Sequence, residues 1–441
     1  MGGTLTQRGG QRPALALVSI LALAGCGTAS NTGPVPGETG YVRGFLGQVA
    51  ADEPRAAVVA RDVLSAGGNA IDAAVAGGFA LSVTLPSRAG IGGGGACLVF
   101  LPSRGVTESV TFPAGARASV PEGADRPAAV PMMARGLFAL HTRGGKLPFE
   151  QLVIPAEQAA RFGIDVSRAL GADLAIAGVP LAADPWARLI FASPGGQPLA
   201  EGGRLVQPDL AATLATLRTA GVGDLHQGNL ARRVEAVSAH AGAMLTVAEM
   251  RAAVPTIGEP LVTPGTSTGD SIAWLPNPGG TAAAAAFRAL PGAATSGATL
   301  PASAGMLVVD RDGMAVSCAF SMNNLFGTGR VAQGLGFLFA AAPGVGQIQP
   351  PLLAAAIASN GPLRAFRAAS VGTGQAGAPL GAAAPLAAAL RGATATEALR
   401  GLPDPARGLV ASCPRYLPGQ SEQCTAAVDP RGFGVALGTL D

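Results

Sequence analysis

The most constraining stretch of this chain is Ala56–Phe100, AAVVARDVLSAGGNAIDAAVAGGFALSVTLPSRAGIGGGGACLVF. Its first part places apolar residues at helical spacing from Ala56 to Ala66. That helix stops at Gly67-Gly68, where residues free to take positive φ close a helix. A second helix runs from Ala70 to about Val83 and is apolar nearly all round. Such a helix has to be covered on every side. The run Gly90-Ile91-Gly92-Gly93-Gly94-Gly95 then leads into a strand over Ala96–Phe100. Glycines before a strand permit another backbone to come close. No helix and no Gly-Lys-Ser/Thr follows them, so the run does not read as a phosphate loop. A buried helix beside a strand requires a large core, and 441 residues, 49% hydrophobic and only 13% charged, can form one.

Helical patterns continue over residues 132–184, in GLFALHTRGG, PFEQLVIPAEQAARFG and SRALGADLAIAG. They recur over Pro208–Ala220, Leu230–Ala241 and Thr246–Ala253, the last with Thr246 as N-cap three residues before Glu249. Strands return as a hairpin pattern, Met306–Asp310, a turn at Arg311-Asp312-Gly313, and Met314–Phe320. Leu363–Val371 is a further strand candidate. This order fits neither a βαβ repeat nor an all-β chain. It fits an α+β class with packed sheets between helical layers.

Arg8 and Arg12 precede an apolar run, Ala14–Leu23, that is too short to span a bilayer. The run ends in Leu23-Ala24-Gly25-Cys26-Gly27, a small-residue cleavage site followed at once by Cys, like a bacterial lipobox. The expectation is a signal peptide over residues 1–25, lipid on the Cys26 thiol, and a Gly/Pro/Ser/Thr-rich tether over 26–46. One domain over 47–441 would then be held by acyl chains at the cell envelope, facing the periplasm. An ordinary signal peptide with an incidental Cys is the alternative. Cys413 and Cys424 flank the polar loop PRYLPGQSEQ and, outside the cytoplasm, read as a local disulfide. Cys97 and Cys318 sit in apolar strand-like runs and read as buried thiols. His141, His226 and His240 are scattered and no Cys/His spacing suits zinc, so neither a metal nor a cofactor is expected. A net charge of +3, without basic clusters interleaved with aromatics, gives no reason to expect nucleic acid.

Several segments together resemble the γ-glutamyltranspeptidase family. Ala56–Phe100, with GGNAIDAAVA at Gly67–Ala76 and the glycines Gly92–Gly95, is similar to the family's N-terminal signature. Val130–Ser167, Leu225–Ala253, the LPNPGG turn at Leu275–Gly280, Val308–Gly329 and Val428–Gly438 follow in collinear order. The resemblance covers about residues 47–441. It implies an αββα four-layer sandwich of the N-terminal-nucleophile hydrolase type. It also implies a precursor that cuts itself, here into a large-subunit-like part, 47–302, and a small-subunit-like part, 303–441. The new N-terminal residue would attack a γ-glutamyl amide such as glutathione, with its own α-amine as base.

On that register Ser303 stands at the nucleophile position, and self-cleavage would be an attack of its hydroxyl on the Ala302 carbonyl. The neighbours Ala304-Gly305-Met306 depart from the family, and Ser303 also reads as a turn residue after Pro301. Ser321 takes the place of a hydroxyl that orients the nucleophile, and Asn323 that of an amide contacting the donor. Both also suit turn chemistry. Pro113 stands where the family's carboxylate-binding Arg is expected, with Arg117 four residues on. Phe339–Gly344 lacks the carboxylates that would hold the donor's amino group, and Leu353-Ala354 falls on a Ser pair. Backbone N–H groups of Gln375 and Ala376 are the oxyanion candidates. Each missing charged contact forfeits roughly 1.5–3 kcal/mol. Three readings follow: a γ-glutamyl transferase or hydrolase with an eroded pocket, a Ser303 amidase for an uncharged acyl group lined by Phe337–Pro343, and a non-catalytic binding scaffold. The expected partners are a small amide substrate and, through the lipid only, a membrane.

Overall fold

The computed structural model describes residues 1–4, 46–115, 117, 119–120, 122–290, 292, 302–345 and 348–438. Cys26, the leader and nearly all of the tether lie outside these residues. Contacts divide the chain into Met1–Gly33, of which only residues 1–4 are described and carry no helix or strand, and Pro34–Asp441, which holds everything below.

Two antiparallel sheets form the centre. The first has seven strands in the spatial order Val435–Leu437, Gly47–Ala51, Ser303–Asp310, Ala315–Ser321, Gly94–Leu101, Val106–Phe112 and Thr256–Gly258. The second has six, in the order Thr425–Val428, Arg407–Leu417, Ala365–Thr373, Ala354–Asn360, Asp270–Trp274 and Leu261–Pro264. Alternation along each strand sorts its side chains to two faces. Leu307 and Val309 point between the sheets and meet Ala355, Ile357, Val371 and Leu409. Met306 and Val308 point the other way, into a core shared with the helices Pro54–Ser65 and Ala70–Thr84. Behind the second sheet, Ile272, Trp274 and Ala356 pack under the helices Pro278–Ala289 and Ala378–Leu390. The layers are therefore helix, sheet, sheet, helix, as the resemblance implies.

The Ala70–Thr84 helix is buried at every position. Burial leaves its first N–H groups without water, so side chains have to satisfy them. Asn69 Oδ1 accepts from Asp72 N, and Asp72 Oδ2 accepts from Asn69 N, both at 3.0 Å, which closes a capping box. The same Asp72 carboxylate accepts from Lys146 N and Leu147 N. Asp310, the last residue of the Ser303 strand, accepts from Ala70 N at 3.1 Å. The GGNAID segment thus docks a buried helix onto a central strand. The glycine run works by close approach: a Cβ at Gly92 would lie 2.1 Å from Leu338 O, and one at Gly94 2.3 Å from Phe112 O.

Two expectations are corrected here. Ser303 is the first residue of a strand rather than a turn residue. Cys97 and Cys318 are joined as a disulfide rather than held as thiols. They sit directly opposite each other where Gly94–Leu101 pairs with Ala315–Ser321, with Cα atoms 4.1 Å apart. Their 221-residue separation hides that neighbourhood from the sequence. Cys413 and Cys424 form the local disulfide expected of them.

Asp72→Ala is expected to lower the unfolding free energy by roughly 2–4 kcal/mol, through a lost cap and orphaned backbone donors. The urea midpoint at unchanged m-value measures this, and a change below about 0.5 kcal/mol would deny Asp72 that role. A non-reducing peptide map is expected to contain one species joining the Cys97 and Cys318 peptides. Because these cysteines lie on either side of Ala302–Ser303, a chain cut there should come apart only after denaturation and reduction. Separate, alkylatable thiols at both positions would contradict the pairing.

Candidate active site

Ser303 opens its strand at the centre of the first sheet, opposite Ser321, the last residue of Ala315–Ser321. Its side chain is 5% exposed, and Oγ has no hydrogen-bond partner among the described residues. Unpartnered buried hydroxyls are uncommon and call for an explanation. The Ser321 hydroxyl donates to the Ala302 carbonyl at 2.8 Å. The same Ser321 Oγ accepts from Asn323 N at 2.8 Å. Polarisation therefore runs from the Asn323 amide through Ser321 onto the carbonyl that precedes Ser303.

Asn323 has φ +64, a left-handed conformation that Asn tolerates better than most residues. Its Nδ2 donates to Ala114 O at 2.7 Å and to Ala341 O at 2.8 Å, and Oδ1 is buried without a partner among the described residues. Asn323 thus ties the Pro113-Ala114 loop to the Phe339–Ala342 segment, and both its amide hydrogens are in use. The segments it ties are apolar: Ala114, Phe339, Ala340, Ala341 and Ala342 are all buried, with Asp125 and Arg126 lining the cavity that Ala341 and Ala342 share. Arg117 is directed elsewhere. Its guanidinium donates to both Glu249 oxygens and to the carbonyls of Ala243 and Met244, and its side chain is 1% exposed. It does not replace the Arg missing at Pro113. Leu353 and Ala354, at the family's Ser pair, are buried at the start of the Ala354–Asn360 strand.

Gln375 and Ala376 lie in a single 3-10 turn, Gln375–Gly377, that follows the Ala365–Thr373 strand. Gly374 has φ +98 and Gln375 φ +55. A Cβ at Gly374 would lie 2.1 Å from Pro405 O, so this turn admits only glycine there. The strand before it packs on the Ser303 strand, with Val371 against Gly305. Sequence reasoning missed one neighbour of this centre. Asp52, just beyond the Gly47–Ala51 strand, accepts from Gly305 N at 2.8 Å. Burial pushes its carboxyl up to about 6.

Comparison with known proteins agrees with this architecture. The gamma-glutamyltranspeptidase profile matches residues 56–302. The glutathione hydrolase proenzyme of Bacillus subtilis strain 168 is 32% identical over 252 residues, 53% of this chain and 42% of that protein. The acylase ACY 1 proenzyme of Pseudomonas sp. strain V22 is 33% identical over 228 residues, 47% of this chain and 41% of that protein. The matches thus span less than half the length of these two relatives. In the solved structure of cephalosporin acylase from Bacillus halodurans the same fold covers 92% of this chain and 98% of that one, with a TM-score of 0.72 at 18% identity. A profile matched over more than half the chain, on the N-terminal-nucleophile hydrolase sandwich, places the chain in the γ-glutamyltranspeptidase family.

Proposed function

We propose that the chain is a self-processing amide hydrolase or acyltransferase with Ser303 as nucleophile, acting on amides whose acyl part is uncharged. The observation that carries this reading is the 2.8 Å hydrogen bond from the Ser321 hydroxyl to the Ala302 carbonyl, beside the unpartnered Ser303 hydroxyl. In the first step Ser303 Oγ attacks the Ala302 carbonyl carbon and its proton passes to the Ser303 nitrogen. The Ala302–Ser303 C–N bond breaks, leaving an ester and a free α-amine. Water then hydrolyses the ester, which restores the hydroxyl next to an amine able to act as its base. Ser321 is the donor that would stabilise the oxyanion of the first step.

The preference for uncharged acyl groups rests on the walls. Among the described residues, Pro113, the commitment of Arg117 to Glu249, and the alanines at 340–342 remove the charged partners that the family resemblance implies for a zwitterionic γ-glutamyl head. Similarity to an acylase proenzyme and to glutathione hydrolases supports amide hydrolysis or acyl transfer as the reaction class. A non-catalytic scaffold is the second reading. It is favoured by Asn323, whose amide hydrogens are both taken by backbone carbonyls. Attachment through Cys26 at the periplasmic face of the envelope remains part of the proposal. The leader motif and two disulfides, which require an oxidising compartment, support it.

Short neutral acyl anilides and a γ-glutamyl anilide, offered to the processed protein, test the reading. The expected kcat/KM is at least ~100-fold higher for the neutral acyl group, the size of two lost charged contacts. Ser303→Ala should abolish both cutting and turnover, and Ser321→Ala should slow cutting by about 10²-fold. Preference for the γ-glutamyl anilide would overturn the acyl assignment. Turnover of neither would favour the scaffold.

A further inference from the structure

We infer that Asp52 is a positioning residue for the Ser303 centre, its backbone N–H and carboxylate together gripping the nucleophile strand at Gly305. The inference rests on the Ser303 reading above. Asp52 is buried at the end of the Gly47–Ala51 strand. Its backbone N donates to Gly305 O at 3.2 Å, and its Oδ2 accepts from Gly305 N at 2.8 Å. Gly305 is therefore gripped on both its polar groups, two residues after the nucleophile. Thr373, which leads directly into Gly374-Gln375-Ala376, is also near enough to this carboxylate to lower its pKa. One residue thus holds the nucleophile strand at Gly305, next to the strand end that leads into that turn. Small displacements of an attacking group are costly to rate.

A purely structural role does not account for a charge here. Arg88 faces Asp52, but its Nε and Nη2 are bound to Asp173 at 2.8 and 2.6 Å, and Ser87 donates to the same Asp173. The other charged groups around Asp52 are Asp429, which raises its pKa and is itself paired with Arg431, and the adjoining Glu53, which caps Ala56. Desolvation outweighs the help from Arg88, Gly305 and Thr373, so the carboxyl titrates near 6 in place of 3.8. The folded chain then binds this proton more tightly than the unfolded chain. The Asp52 contribution to stability is best at low pH and falls as pH rises through that window, so above about 6 the charge destabilises the fold. Asparagine keeps the shape, can still accept from Gly305, and removes the charge.

The full chain as wild type, Asp52→Asn and Ser303→Ala is followed by intact mass for cutting at Ala302–Ser303 between about pH 5 and 8. Thermal unfolding is measured in the uncut Ser303→Ala background, with and without Asp52→Asn. The expected result has three parts. Wild-type cutting slows as pH drops through about 6. Asp52→Asn cuts at least ~10-fold more slowly at the upper pH and shows no step in that window. Its melting temperature there is no lower than that of its background. Cutting by Asp52→Asn at the wild-type rate and with the wild-type profile would overturn the inference alone. A melting temperature that drops in step with the rate would reduce Asp52 to a structural part. A wild-type chain that never cuts would remove the Ser303 reading and, with it, this one.

Discussion

The backbone pairing of Ser303–Asp310 with Ala315–Ser321 is the interaction on which the rest of this structure depends. It sets Ser303 opposite Ser321 and thereby brings the Ser321 hydroxyl to the Ala302 carbonyl. The strand is flanked on its other side by Gly47–Ala51 and has a hydrophobic core on each face. Both of its ends are held by buried carboxylates. At one end Asp310 accepts from Ala70, Asp312 and Met314, which fastens the buried helix and the hairpin turn. Near the other, Asp52 grips Gly305. Burial pushes both carboxyls up to about 6.

The proposed site on this strand is built from hydroxyls and apolar segments. Asn323 and Ser321 are hydrogen-bonded in series to the Ala302 carbonyl just before Ser303, whose own hydroxyl has no partner among the described residues. Arg117 is directed elsewhere, since a guanidinium bound to Glu249 and two carbonyls has no fork left for a substrate carboxylate. Family membership, shown by the match over residues 56–302, agrees with the fold, whereas self-cutting and the acyl group stay with the proposal.

What the sequence revealed follows from where its signals are local. The Ala70–Thr84 helix, the Thr246 capping box, the hairpin at Asp310–Met314 and the disulfide between Cys413 and Cys424 depend on residues close in the chain, and all were legible. The strand Ala354–Asn360 and the helix Ala378–Leu390 were not. Both are alanine-rich and almost wholly buried, so neither period 2 nor period 3.6 shows in them. Alanine favours a helix by itself, and in Ala354–Asn360 pairing with two neighbouring strands overrides that preference. Cys97 with Cys318, and Asp52 with Gly305, are contacts across more than two hundred residues. No spacing rule reaches them. Asp52 in particular looks like an acidic residue ahead of a helix, a role that Glu53 in fact fills.

The N-terminal sequence of any smaller fragment formed by the purified, freshly folded chain tests the central claim most directly. The account expects a fragment beginning at Ser303, formed at a rate independent of protein concentration, as an intramolecular attack requires. A chain that stays whole after prolonged incubation, or one cut elsewhere, would contradict the assignment of Ser303 and leave the sandwich as a scaffold without its nucleophile.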